Sequence, residues 1–207
     1  MRKKQIVVLG SSGIICTKKA YKLAEEIGEE LAKNDCVTIS GGGLGVMEAA
    51  LKGAKKQGGV TMGIIPWENI NKVNEYADIV IATGIGWSRD AINLNSCDGA
   101  IIVHGGAGTL NEVTYGYIMK KPMVAVQTSG GIAKEIAGNY LDMRKSEKIL
   151  SADTPKEAVK KVLNQLKKRE KQGLIFTEFD KDLLMMEDKK DWEIIIKRKK
   201  KKMKMQE

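Results

Sequence analysis

Ile101-Ile102-Val103-His104-Gly105-Gly106-Ala107-Gly108-Thr109-Leu110-Asn111-Glu112 joins an apolar run to a glycine turn and a helix start, with the chain's single histidine at the junction. An apolar run without alternation reads as a strand covered on both faces, the environment of a parallel sheet. The glycines let the backbone come close to a ligand, and the helix behind them turns free amides and a partial positive charge toward it. The occupant predicted here is an anionic group.

The same phrase recurs on either side. Gln5–Leu9 ends in Gly10-Ser11-Ser12-Gly13, Val37–Ile39 runs into Gly41–Gly45, and Val60–Ile65 stops at Pro66. Ile79–Ala82 leads into Thr83–Trp87, and Met123–Val126 precedes Gly130-Gly131. Apolar residues at helical spacing predict a helix from about Lys18 to Lys33 and another carrying Val46, Met47, Ala50, Leu51 and Ala54. A third runs from Arg89 to about Cys97 with Ser88 as its N-cap, and a fourth from the central turn to near Lys120, before Pro122. A fifth ends near Ala137, and the last starts at Pro155 with Val159, Val162, Leu163 and Leu166 as its buried stripe. Trp67–Tyr76 reads as a loop with one short helical turn. Strand, glycine and helix in this repetition predict an α/β fold, a doubly wound parallel sheet, Rossmann-like, in three α/β/α layers. Its glycine loops line the carboxyl edge of the sheet and should converge on one pocket.

The 207 residues suit one domain, placed at 1–170, with an extension over 171–207 whose apolar islands show no fixed period. Basic residues outnumber acidic ones by 35 to 26, but Lys197, Arg198, Lys199–Lys202 and Lys204 hold seven of them, and without that run the surplus falls to two. The high isoelectric point belongs to a solvated, disordered tail rather than to the body. Cys16, Cys36 and Cys97 are odd in number and widely spaced, which argues against a disulfide framework or a zinc site and for a reducing cytoplasm. No apolar run has the length of a membrane span or a signal peptide.

No loop gives G-x-G-x-x-G after the first strand with an acid about 20 residues on, and none has the Walker lysine, so a standard NAD site or P-loop is not expected. Instead, Ile39–Met47, Gly63-Ile64-Ile65-Pro66 and Gly105–Glu112, together with Gly10–Gly13, resemble the lysine-decarboxylase-like or LOG family over residues 4–168. The resemblance implies nucleotide or phosphate binding by Gly10, Ser11, Ser12, Gly41, Gly42, Gly43, Gly45, Gly105, Gly106, Gly108 and Thr109. Members of the LOG type hydrolyse the N-glycosidic bond of nucleoside 5′-monophosphates to base and ribose 5-phosphate. Arg89 and Glu112 would then be the catalytic pair, with no cofactor required. Close relatives include proteins known only as nucleotide binders and a molybdenum-cofactor carrier. His104 stands in place of the family's proline, Asn111 in place of the first of two adjacent acids, and Asp90 in place of lysine, changes that look more like the carrier-like branch. The resemblance further implies a homodimer or higher homo-oligomer paired through helices near the pocket. A distant fold relative binds single-stranded DNA, which leaves nucleic acid as a partner only for Lys197–Lys204.

Each site residue also has a plainer reading. Glu112 could stabilise positive charge on a ribose or orient water, or Thr109-x-x-Glu112 could be a capping box. Arg89, a cation in a helix's first turn, opposes the helix dipole and calls for a phosphate or Glu112 beside it, unless it is a surface arginine. Asp90 suits a helix start and needs no further role. His104 is either a general acid or a strand-end histidine with a satisfied hydrogen bond. Trp67 and Trp87 either stack on a base or pterin ring or anchor their loops.

Overall fold

The computed structural model describes residues 2–171. Seven strands, Gln5–Gly10 (β1), Val37–Ser40 (β2), Thr61–Ile65 (β3), Ile79–Ala82 (β4), Gly99–Val103 (β5), Met123–Val126 (β6) and Leu150–Ala152 (β7), form one all-parallel sheet in the order β4-β3-β2-β1-β5-β6-β7. Helices Lys18–Lys33 (α1), Val46–Lys56 (α2), Arg89–Asn95 (α3), Ala107–Ile118 (α4), Gly131–Ile136 (α5) and Pro155–Lys171 (α6) make the crossovers and close the chain's described part.

Successive strand residues face opposite sides, and both sides are apolar, which is why the runs do not alternate. Ile6, Val8, Ile101, Val103, Val124 and Val126 pack under α1, α2 and α6. Val7, Leu9, Ala100, Ile102, Met123 and Ala125 pack under Leu94 of α3, Val113 and Tyr117 of α4, and Ala133 and Ile136 of α5. The result is the three-layer, doubly wound sheet that the sequence predicts. Strand order reverses between β1 and β5, so the crevice at their carboxyl ends is the topological switch point where such sheets bind ligands.

The helices α1 and α2 meet through bare backbone. A methyl group on Gly53 would stand 1.8 Å from the Glu25 carbonyl oxygen, and one on Gly28 would stand 2.0 Å from that of Ala50. Lys52 and Lys56 of α2 both reach the Glu25 carboxylate across this contact.

Three local readings of the sequence need correction. Ser88 does not cap α3. The single turn Gly86–Ser88 winds straight into the helix, so Ser88 already has helical dihedrals (φ −62, ψ −14) and its side chain makes no capping bond. Side chains that do cap include Thr17, whose hydroxyl accepts from the Ala20 amide at 3.1 Å at the start of α1. The sequence does not announce β7, because a three-residue edge strand with Ser151 at its centre carries no apolar run. The helix α4 ends at Ile118, two residues short of Lys120, which turns left-handed at φ 52 while the Lys121 amide returns to the Gly116 carbonyl at 2.8 Å. No helix among the described residues is long and apolar enough to cross a membrane. From residue 172 on, the expected extension and its lysine run lie outside the described residues.

Candidate functional site

All three glycine loops meet at the switch point. The Val46 amide donates to the Ser11 carbonyl at 3.0 Å, tying the loop after β2 to the loop after β1. Gly45 allows this approach, since a methyl there would stand 2.7 Å from that carbonyl oxygen and its φ is +81. Gly10 lies in register with Val103 of β5, where a methyl would come within 2.3 Å of the Val103 carbonyl oxygen. On the other side Ile15 reaches over Gly106, its Cδ1 3.1 Å from where a Cβ would sit.

The residues divide into a buried back and an open front. Ser11, Gly41, Gly42, Gly45, Gly105 and Thr109 are buried, whereas Ser12, Gly13, Ala107 and Gly108 are exposed and Gly10, Gly43 and Gly106 half-buried. A methyl on Gly108 would have no neighbour within 4 Å, so the first turn of α4 opens outward. Its N-cap, Gly106, has no side chain to satisfy the helix's free amides. At α5, by contrast, the amides of Ile132 and Ala133 donate to the carbonyls of Gly105 and His104 at 3.1 and 2.9 Å. One helix start therefore holds the β5 turn and the other presents donors beyond it, an arrangement suited to an anion.

Behind the turn lies a buried polar cluster between α3 and α4. Arg89 Nη1 stands 3.3 Å from Asp90 Oδ1 and 3.7 Å from Glu112 Oε1. The Asn93 amide donates to Glu112 Oε1 at 2.8 Å, and the Asn111 amide to Asp90 Oδ2 at 3.0 Å. A methyl on Gly41 would come within 2.7 Å of Arg89 Nη1, so the β2 loop seats the guanidinium directly. Burial, with the Asp90 charge as the second cause, pushes the Glu112 carboxyl up to about 8, against the smaller opposing pull of Asn93 and Arg89. Of the six buried side-chain polar atoms without a hydrogen-bond partner among the described residues, Arg89 Nε and Asn93 Oδ1 belong to this cluster, and Ser11 Oγ and His104 Nδ1 stand in the loops after β1 and β5. Buried polar groups are ordinarily satisfied, so this concentration marks the corner as built for something other than packing.

The geometry overturns several plain readings. Thr109 and Glu112 form no capping box, because the helix starts at Ala107 and Glu112 faces α3 rather than its own first turn. Arg89 is no surface arginine, being 7% exposed. Asp90 is 4% exposed and paired to both Arg89 and Asn111, so a helix-start preference does not account for it. His104 adopts a left-handed φ of 56 and its Nδ1 is unsatisfied, while its backbone amide donates to Ser129 Oγ at 2.7 Å. Trp87 is 81% exposed and anchors nothing; Trp67 is 42% exposed. Sequence reasoning missed Asn93 altogether. The available signal was its place one turn after Arg89, a polar residue on the face that must point inward.

Comparison with known proteins bears on the fold and the family. The sequence model of the SLOG cluster4 family matches residues 3–159. An uncharacterized protein of Archaeoglobus fulgidus is 42% identical over 113 residues, covering 55% of this chain and 73% of that one. The cytokinin riboside 5′-monophosphate phosphoribohydrolase of Mycobacterium tuberculosis is 30% identical over 155 residues, 67% of this chain and 83% of that one. Among solved structures, the molybdenum cofactor binding protein from Rippkaea orientalis superposes with a TM-score of 0.71 at 32% identity, covering 80% of this chain and 99% of that one.

Proposed function

Because the chain belongs to the SLOG cluster4 family, we propose that it binds a phosphorylated nucleotide or nucleotide-like cofactor across the loops after β1, β2 and β5. The observation that carries this reading is the uncapped, outward-opening start of α4 set among three interlocked glycine loops. The phosphate would take the amides of Ala107, Gly108 and Thr109, with Ser12 at the rim, and the base or pterin would extend toward exposed Trp87. The molybdenum cofactor fits at its phosphate end. Among the described residues no cluster of three or more His, Cys, Asp or Glu is placed to hold a metal ion; the loops would hold the organic part of the cofactor, whose metal supplies its redox chemistry.

Gly108→Asp tests the site without a clash, because the added side chain enters open space. A carboxylate in a helix's first turn stabilises the helix by about 0.5 kcal/mol while repelling phosphate. Calorimetric titration with AMP should show at least about tenfold weaker binding in this variant, with unfolding unchanged or later. Equal affinity in both proteins would move the phosphate elsewhere.

A second reading, hydrolysis of a nucleoside 5′-monophosphate to base and ribose 5-phosphate, is favoured by one observation: Glu112 lies 3.7 Å from Arg89 with its carboxyl pushed up to about 8. At neutral pH it would hold a proton to give to the departing base as the N-glycosidic bond breaks, and the water that adds its oxygen to the ribose carbon would return a proton to the carboxylate. Chromatography of the purified protein with a panel of nucleoside 5′-monophosphates decides between the two. Base release that disappears in Glu112→Ala supports turnover; retained nucleotide without release supports binding alone.

We infer further that two copies pair through the α3–α4 face. From Ile79 to Met119 the charged residues are Arg89, Asp90, Asp98 and Glu112, and none is exposed, while Ile79, Ile81, Trp87 and Ile118 are. An uncharged stretch of this kind in a chain that is 29% charged suits a contact with a second copy. Light scattering should give a multiple of the 22.7 kDa chain mass, falling toward the monomer in Ile118→Glu. A monomeric wild type would refute the pairing.

A further inference from the structure

We propose that Asp90 is a positioning residue that keeps the proton on Glu112, so that Glu112 meets the ligand as a hydrogen-bond donor and the site selects a ligand atom that accepts. The argument starts from charge. The cluster holds one cation, Arg89, and two carboxylates, all at most 8% exposed, and a buried unpaired charge is costly enough that one carboxyl group takes up a proton instead.

The contacts say which one. Asp90 has a favourable contact on each oxygen: the Asn111 amide donates to Oδ2 at 3.0 Å, and Arg89 Nη1 lies in ion-pair range of Oδ1 at 3.3 Å. Both neighbours of Glu112 engage Oε1, and Arg89 stands farther from it, at 3.7 Å. The nearer cation and a contact on both oxygens make Asp90 the better seat for the cluster's negative charge, which leaves the proton to Glu112. Glu112 keeps the proton on Oε2, which makes no hydrogen bond among the described residues. The elements packed on α4 bring no competing charge inward. Besides Arg89 and Asp90 of α3, α5 has only Lys134 and Glu135, both exposed; β1 has no titratable residue; and His104 sits in the turn before the helix.

The consequence for recognition rests on the binding reading above. A ligand with a ring nitrogen or carbonyl oxygen at Glu112 is accepted, and one with a cationic or donor group there is rejected. A site in which Glu112 were ionised would have the opposite preference.

The test begins without ligand. Carbon-13 NMR of glutamate-labelled protein between pH 4 and 10, with the Glu112 resonance identified by its loss in Glu112→Gln, should place its titration above neutrality. In Asp90→Asn, which can still accept from Asn111, the titration should fall by about one unit or more. Asn111→Lys, at an exposed position that does not depend on Asp90→Asn folding, should lower it as well. Titration of wild-type Glu112 in the ordinary carboxylate range, or at the same pH in these variants, overturns the proposal. With AMP as probe, wild-type affinity should weaken as pH rises through the Glu112 titration, and that dependence should vanish in Glu112→Gln. An identical pH profile in the two proteins overturns the donor role. AMP that binds at no pH would sink the binding reading, while the ligand-free titration would still decide the role of Asp90.

Discussion

Replacing Arg89 by methionine is expected to cost about 3–5 kcal/mol of folding stability at pH 8, more than any other single change at the site. Methionine fills much of the same space, so the loss comes from charge: Asp90 and Glu112 remain buried with no cation between them. Without the arginine's opposing pull the Glu112 carboxyl rises further above its unfolded value, and this fixes the direction of the pH dependence. A carboxyl whose folded pKa is raised, as Glu112 already is from 4.5 to about 8, stabilises the fold fully below its unfolded pKa and loses that contribution as pH rises through the folded one. The deficit of the variant should therefore be smaller at pH 5 than at pH 8. Urea unfolding at the two values checks both the size and the sign; a deficit under about 1 kcal/mol, equal at both, would mean the arginine compensates nothing.

Gly53→Ala should cost about 3 kcal/mol, the upper end of the usual range for overpacking. The added methyl would meet the Glu25 carbonyl oxygen at 1.8 Å, and a backbone atom in mid-helix cannot swing aside as a side-chain end can. Relief requires α1 and α2 to separate, loosening the reciprocal contact of Gly28 with the Ala50 carbonyl and the ion pairs to Glu25. Helix propensity opposes this by about 1 kcal/mol in favour of alanine, so a net loss reads the packing directly. Thermal unfolding by calorimetry gives the result, and a variant as stable as wild type would place the two helices farther apart.

The sheet was legible in the sequence because strands covered on both faces leave continuous apolar runs, and each of β1, β2 and β5 ends where glycines begin. The strand β7 was not, since an edge strand of three residues needs no such run. At the site, the resemblance pointed to Arg89 and Glu112, and the structure sets them side by side. Their surroundings were hidden for a physical reason. Asp90, Asn93 and Asn111 acquire their partners only when α3 packs on α4, and a sequence read element by element gives Asp90 the ordinary meaning of a helix start. Likewise Thr109-x-x-Glu112 matches a capping box in spacing, but that reading depends on where the helix begins, and Gly106 lets it begin two residues before Thr109.

The two hydrogen bonds from α5 into the carbonyls of His104 and Gly105 have a consequence for the thermodynamics of recognition. With the bond from the His104 amide to Ser129 Oγ, they fix the β5 turn in dihedrals that a loose chain would seldom sample, before anything docks against α4. A ligand arriving there does not have to immobilise a floppy loop, so little conformational entropy is surrendered on association. Preorganisation of this kind lets a small anion be held by a few amides that would be too weak if each had first to be ordered.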